Sequence, residues 1–415
     1  MASGNNQVSI DALLKEYYDD GALVNETYMK NPLWALMNKT QAIANVTGRS
    51  FVHPIVIATS QGRNTNFTTA QLRGQQTGEV SYDFTVPRVN NYQDASVATE
   101  TVLSTRDDRG AFTRAITLIT DNCLRNLGLD QAISMYGDGS GVRGTVSQSD
   151  TLASSSLTLA IADQALLFEI NMELVLAATS TSTVRSGSVY VSSVDRVNGV
   201  LGLEDVNGSP VNLSTAIGAA ALGDSIFVIN DQGNKMTGLA GWIPYGGPSS
   251  TPFFGVNRTI DPVRLAGNSL DGSQLSIEDA FIQATVNVAK QSNGQLTHFF
   301  LPYSKYGQLL KSQSAKVAII EEVNPDVSFE GIQVLTPTGN VSVIPDRNCP
   351  SNRMFGLNLD TWDYIHLGDP VQMFDLDGNS WLRQPADDGM EIRFFSLGNV
   401  VCRAPAENIV INVNP

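Results

Sequence analysis

Three stretches of the 415-residue sequence predict a mixed α+β fold that carries a separate, small β-rich module. Residues 53–84, "HPIVIATSQGRNTNFTTAQLRGQQTGEVSYDF", place a short apolar run, then a long polar tract, then a cleanly alternating strand. Residues 107–137, "DDRGAFTRAITLITDNCLRNLGLDQAISMYG", carry apolar side chains at helical spacing. From about 150 to 232 the pattern changes to short alternating strands separated by tight-turn signals.

The composition limits what such a chain does. Its length predicts two or three domains. A net charge of −15 argues against a protein that grips nucleic acid by neutralising phosphates, but fits one that stays near nucleic acid without sticking to it. Cys123, Cys349 and Cys402 are far apart and follow no metal or redox spacing, which predicts synthesis in a reducing compartment. "MASGNNQVSI" has neither a basic nor an apolar segment, so no signal peptide is expected. No apolar run is long enough to span a membrane.

The elements follow in order. The first 50 residues read as an arm: a short helix in "IDALLKEYY", capped by Ser9, then "NETYMKNPLWALMNKT" with Trp34, Leu33, Leu36 and Met37 as apolar anchors. So little apolar surface cannot fold alone and must dock on something. Next comes an extended hairpin, in which Val80, Tyr82, Phe84 and Val86 alternate with polar neighbours. Legs of about 15 residues would reach roughly 50 Å at 3.3 Å per residue. A ribbon that long is marginal unless something covers it.

The long helix should include Phe112, Ala115, Ile116, Ile119, Cys123 and Leu127, with Gly128 as a bend or interruption. Its length is about 40 Å, a beam across a flat domain. In the module that follows, Asn198-Gly199 and Asn207-Gly208 mark tight turns, and a small β-barrel or sandwich is expected. "LSIEDAFIQATVNVAKQSNG" reads as a helix with Ser276 and Asp279 in a capping box and Gly294 as its stop. A second helix lies near "PYSKYGQLLKS", and the last 65 residues are strand-rich, with turns at Asp377-Gly378 and Asp388-Gly389.

Catalytic and metal motifs are weak. His53, His298 and His366 form no metal-ligand pattern, so no metal and no cofactor are expected. "GDGSGVRG" (137–144) resembles a phosphate loop but follows a helix and lacks Gly-Lys-Ser/Thr; it reads as a turn. "DLDGN" (375–379) lacks the remaining ligands of a calcium loop. "GDSI" (223–226) with Asp363 and His366 resembles the nucleophile and Asp-x-x-His blocks of Gly-Asp-Ser-Leu esterases, in which His366 would deprotonate Ser225. Here, however, "SIFVIN" reads as a strand where that family has a helix.

The order of elements, together with "YMKNPLWALM", "FVHPIVIATSQGRNTNF", "LDQAISMYGDGSG", "HFFLPYSKYGQL" and "MFGLNLDTWDYIHLG", resembles the major capsid proteins of tailed bacteriophages. That Hong-Kong-97-type fold implies residues 1–50 as N-arm, 51–90 as E-loop and 91–149 as P-domain with its spine helix. Residues 150–235 are the inserted module, 236–348 the A-domain and 349–415 the P-domain return strands. The resemblance implies no enzyme, but pentamers and hexamers of one chain forming an icosahedral shell around double-stranded DNA, located in the virion and made in the host cytoplasm. Scaffolding, portal and decoration proteins are the implied partners, the scaffold as a separate chain or removed by earlier cleavage. No lysine lies between Lys39 and Lys235, so the hairpin offers no amine for the covalent cross-link some relatives form, and a non-covalent shell is expected. An encapsulin-like compartment is the nearest rival. The residues expected at contacts between subunits are Trp34, Arg63, Phe67, Arg73 and Tyr82.

Overall fold

The computed structural model describes residues 31–41, 46–47, 50–98, 109–313, 320–324, 329–368, 370–373, 382–384 and 388–414. The expected arm helix around "IDALLKEYY", the Asp377-Gly378 turn and the "DLDGN" stretch lie outside them.

The arm enters as a single helical turn, Pro32–Leu36, started by a proline whose missing N–H costs nothing there. Leu33 and Met37 are buried in the main core. The buried Asp346 carboxylate accepts hydrogen bonds from the Leu33 amide and the Tyr136 hydroxyl, while Asn348 Nδ2 donates to Asn31 Oδ1 at 2.8 Å. Asn38–Gln41 then adds a parallel strand beside Trp362–His366. The arm is thus latched to its own body.

The hairpin is Ser50–Ala58 against Val80–Pro87, antiparallel, with His53 opposite Phe84 and an irregularity between Val56 and Ala58. Its legs are nine and eight residues long, shorter than the expected 15. The intervening polar tract contains a helix, Phe67–Gln76, because its Ala, Gln, Leu and Arg favour a helix once Asn66 caps it. The root is embedded: Phe51, Ile55, Ile57, Phe84 and Val86 are buried with Trp242. The Phe84 ring lies 5.4 Å from that of Trp242, and the Thr85 amide donates to the Phe254 carbonyl.

The long helix, Arg109–Tyr136, runs 28 residues. At 1.5 Å per residue that is about 42 Å. Gly128 does not interrupt it; open space surrounds that position, and the i→i−4 ladder on either side carries the helix through. Cys123 and Leu127 pack on Ile392 and Phe394. The side chains of Phe112, Ala115 and Ile116 lie outside the described set. Beneath the helix, Val89–Ala98 pairs along Gly389–Cys402, whose other edge carries Trp362–His366 and two short strands.

After the helix, Gly139 and Gly141 hold positive φ in "GDGSGVRG", and a Cβ on Gly141 would stand 2.4 Å from the Asp231 carbonyl. The loop is a close backbone crossing. From Gly144 to Val228 six strands follow one another around a ring, and the ring closes: Ala160 N donates to Thr145 O and Ser147 N to Thr158 O. The result is a small barrel filled by Leu157, Phe168, Leu174, Leu176, Val191, Leu201 and Ile226. It begins at Gly144, a turn earlier than residue 150.

The remaining sheet has seven strands and gathers Asn268–Asp271, His298–Leu301, Gly339–Pro345, Arg353–Leu357 and Ile409–Asn412, among others. The helix Ile277–Ser292 covers it through Phe281, Ala284 and Val288, with Ser276 Oγ accepting from the Asp279 amide at 3.1 Å. That helix stops at Asn293, in the left-handed conformation, one residue before Gly294. Tyr303–Gln313 is the second helix. Residues 349–415, expected as one set of return strands, are divided between this sheet and the one beneath the long helix. Strands 353–357 and 409–412 are apolar on both faces, so they sit in the middle of a covered sheet.

Candidate assembly surface

The hairpin tip is ordered locally yet leaves large apolar side chains exposed. Asn66 Oδ1 accepts from the Thr69 amide, Thr77 Oγ1 donates to the Arg73 carbonyl, and the Gln61 amide donates to Thr77 Oγ1. Gly62 packs so closely on Gly74 that the helix is pressed against the extended chain leading to it. The tip is therefore ordered by local bonds. Yet none of the ten helix residues is buried, and Phe67 is 79% and Leu72 53% exposed. Val56 and Val80 on the legs are exposed as well. Residues 61–78 hold Arg63 and Arg73 and no acidic residue, in a chain of net charge −15.

The five expected contact residues separate into two groups. Arg63, Phe67 and Arg73 are together on this tip and face solvent. Trp34 and Tyr82 are partly buried against the chain's own core. The Trp34 ring meets Tyr364 edge-on at 5.0 Å, and Lys39 Nζ lies 4.9 Å above it. Sequence reading missed Leu72 and the tip helix. The signal was present in Asn66 as an N-cap before "FTTAQLRGQQ".

A second polar constellation joins the barrel to the long helix. Asp130 contacts the guanidinium of Arg143, on the chain entering the barrel, and lies 2.7 Å from Lys235 Nζ, on the chain leaving it. Asp231 is 3.2 Å from Lys235 Nζ, and Asn91 Nδ2 donates to Asp130. Burial works against charge on Asp130, but Arg143 and Lys235 outweigh it and hold that carboxyl below its ordinary range. Burial pushes Asp231 up. One helix residue thus pins both barrel connections.

The esterase-like residues do not come together. Ser225 lies in a barrel strand, and neighbouring Asp224 is held by Arg185 at 2.6 and 2.7 Å. His366 belongs to a different sheet, with Nδ1 on the Gly368 carbonyl at 2.8 Å, and Asp363 pairs with Arg403. The three cysteines are buried, and burial raises their thiol pKa values, to about 11 for Cys123. Among the described residues, no helix is long and apolar enough to cross a membrane, and no His/Cys/Asp/Glu group has the grouping of a metal site.

No protein-family model and no curated protein sequence matches this chain. Solved structures of capsid and shell proteins are similar to it end to end. A cyanophage A-1(L) capsid subunit is 12% identical, covering 95% of this chain and 97% of its own, with a TM-score of 0.46. An encapsulin complex from Synechococcus elongatus is 7% identical, covering 97% and 94%, also at 0.46. A virus-like particle from Pyrococcus furiosus is 9% identical, covering 97% and 98%, at 0.37.

Proposed function

We propose that this chain is a structural subunit of a closed protein shell, and that it works by covering its neighbours and not by chemistry. One observation carries the reading: a hairpin rooted in the core presents an ordered helix with no buried residue and with Phe67 and Leu72 exposed. An apolar surface built at that cost in chain entropy needs a partner. Burying Phe67 and Leu72 on a neighbour contributes about 1.5–3 kcal/mol each. Such a gain is modest per contact and large when repeated around a shell, which suits reversible, error-correcting assembly.

The finer form of the proposal is a major capsid protein of a tailed phage. Its hexamers and pentamers enclose double-stranded DNA, with separate scaffolding, portal and decoration proteins, in the virion. The acidic balance fits a container wall that does not hold its packaged polyanion. With no lysine on the hairpin to supply an amine, the shell is held without covalent links through that element.

The test is deletion of residues 60–78, followed by size-exclusion chromatography and negative-stain electron microscopy beside the intact chain, with a scaffold co-expressed. The intact chain should give closed shells, and the deletion a soluble subunit that does not close. Normal shells from the deletion would refute the role of the hairpin. The contents of the shells, nucleic acid or protein cargo, separate a genome container from an encapsulin-like compartment.

A further inference from the structure

The long helix turns one buried stripe toward the sheet beneath it: Leu127, Gln131 and Met135, four residues apart, are 1%, 3% and 0% exposed. Leucine and methionine need no polar partner there, but glutamine does. A primary amide has two N–H donors and a carbonyl oxygen to satisfy. Neither Nε2 nor Oε1 of Gln131 has a hydrogen-bond partner among the described residues. Native folds leave few buried polar groups in that condition.

Gln131 borders a small cavity between helix and sheet, which leaves about 20 Å³ for the centre of a water molecule. One water needs about 10–15 Å³ of such space, so the cavity takes one and is tight for two. Its other walls are largely polar. Ser134 comes from the helix, Asn91 and Ser396 stand opposite each other on paired strands, and Lys235 enters on the chain leaving the barrel. Tyr364 lies across Gly398, where a Cβ would stand 2.6 Å from its hydroxyl oxygen, and reaches Ser396 Oγ at 2.7 Å. Two linked hydroxyls carry two hydrogens and use one between them, which leaves the other for a further acceptor. Lys235 Nζ has three donors, and Asp130 and Asp231 take two.

We propose that this cavity is a binding site for a single water molecule, which joins Gln131 of the long helix to the Tyr364–Ser396 pair of the sheet. Charge selects water over an ion: the Lys235 ammonium repels a cation, and the Asp130 and Asp231 carboxylates it contacts oppose an anion. Water both donates and accepts, so it serves either end of the Gln131 amide and the second hydroxyl from one position. About three such bonds are usual for a buried water. The link extends beyond the helix, because Tyr364 stands in register with Lys39 of the arm strand and meets the Trp34 ring edge-on. The site belongs to the single subunit and is independent of what a shell would enclose.

A density map of the wild-type chain, at a resolution that shows ordered solvent, tests the site directly. One peak is expected within hydrogen-bond distance, about 2.7–3.2 Å, of the Gln131 amide and of Ser396 or Tyr364. No peak there, or a Gln131 amide bonded directly to protein, would overturn the proposal. A peak present in one salt and lost in another would mark an ion and overturn it equally. In solution, oxygen-17 relaxation dispersion counts the waters held longer than the tumbling time of the chain. Gln131→Met nearly keeps the length of the side chain and removes both polar ends, so the count should fall by one. An unchanged count in folded Gln131→Met would sink the site. Should that variant fail to fold, the wild-type map decides alone.

Discussion

A Cβ placed on Gly62 would stand 2.9 Å from the Cα of Gly74 and 3.2 Å from the Ala70 carbonyl. The hairpin tip thus closes through two glycines on facing backbones, and the orientation of Phe67 and Leu72 depends on that approach.

Gly62→Val should push the tip helix away without unfolding the subunit. No core side chain is involved, so stability should change by no more than about 0.5 kcal/mol. Shell yield should fall severalfold. Thermal melting read beside electron-microscopic particle counts checks both halves, and a normal particle count would sink the idea.

Phe84 is fully buried at the hairpin root, 5.4 Å from the Trp242 ring and 6.4 Å from that of Phe253. Phe84→Ala should cost about 3–5 kcal/mol, from lost burial plus the cavity left behind. Urea unfolding of the unassembled subunit measures this. A loss below about 1 kcal/mol would mean the root is not embedded as described.

Asp130→Asn leaves Arg143 and Lys235 with only Asp231 between them. Removing one partner of a buried pair costs about 3 kcal/mol at the lower end of the usual range. Hydrogen exchange should rise at 137–143 and 229–238, the two barrel connections, and not inside the barrel, which has its own core. Because the folded-state pKa of Asp130 lies below its ordinary value, its contribution is present above that value, near ~3.9, and is lost as pH falls further. The exchange change should therefore appear in the wild type on strong acidification.

His298 is mostly buried, and desolvation lowers its pKa to about 4. A base with a lowered folded-state pKa stabilises the fold fully above its unfolded value, near ~6.5, and progressively less as pH drops toward the folded one. By pH 4 the loss attributable to His298 is about 3 kcal/mol. His298→Gln should flatten the stability profile between pH 6.5 and 4, measured by urea unfolding at several pH values. An unchanged slope would exclude His298 as the titrating group.

The sequence by itself determined what is local. The alternation of Val80, Tyr82, Phe84 and Val86 specifies a strand, the Ser276–Asp279 spacing a helix start, and Asn198-Gly199 a tight turn with Gly199 at positive φ. Each of these is decided by neighbours a few residues away, so periodicity and backbone sterics suffice. The grouping of Arg63, Phe67 and Arg73 on one exposed tip was legible for the same reason.

Only the tertiary structure decided what depends on distant chain segments. Trp34 and Tyr82 carry the same apolar signal whether they cover a neighbour or their own body, and the part each packs on its own core, Trp34 against Tyr364, is visible only in the fold. Strands 353–357 and 409–412 joined a different sheet from 389–402 because pairing partners are chosen across the whole chain. Asp130, Arg143, Asp231 and Lys235 are spread over about a hundred residues, and no spacing rule joins them. Charge neutralisation on a shared buried carboxylate brings them together, and that is visible only once the barrel stands beside the helix.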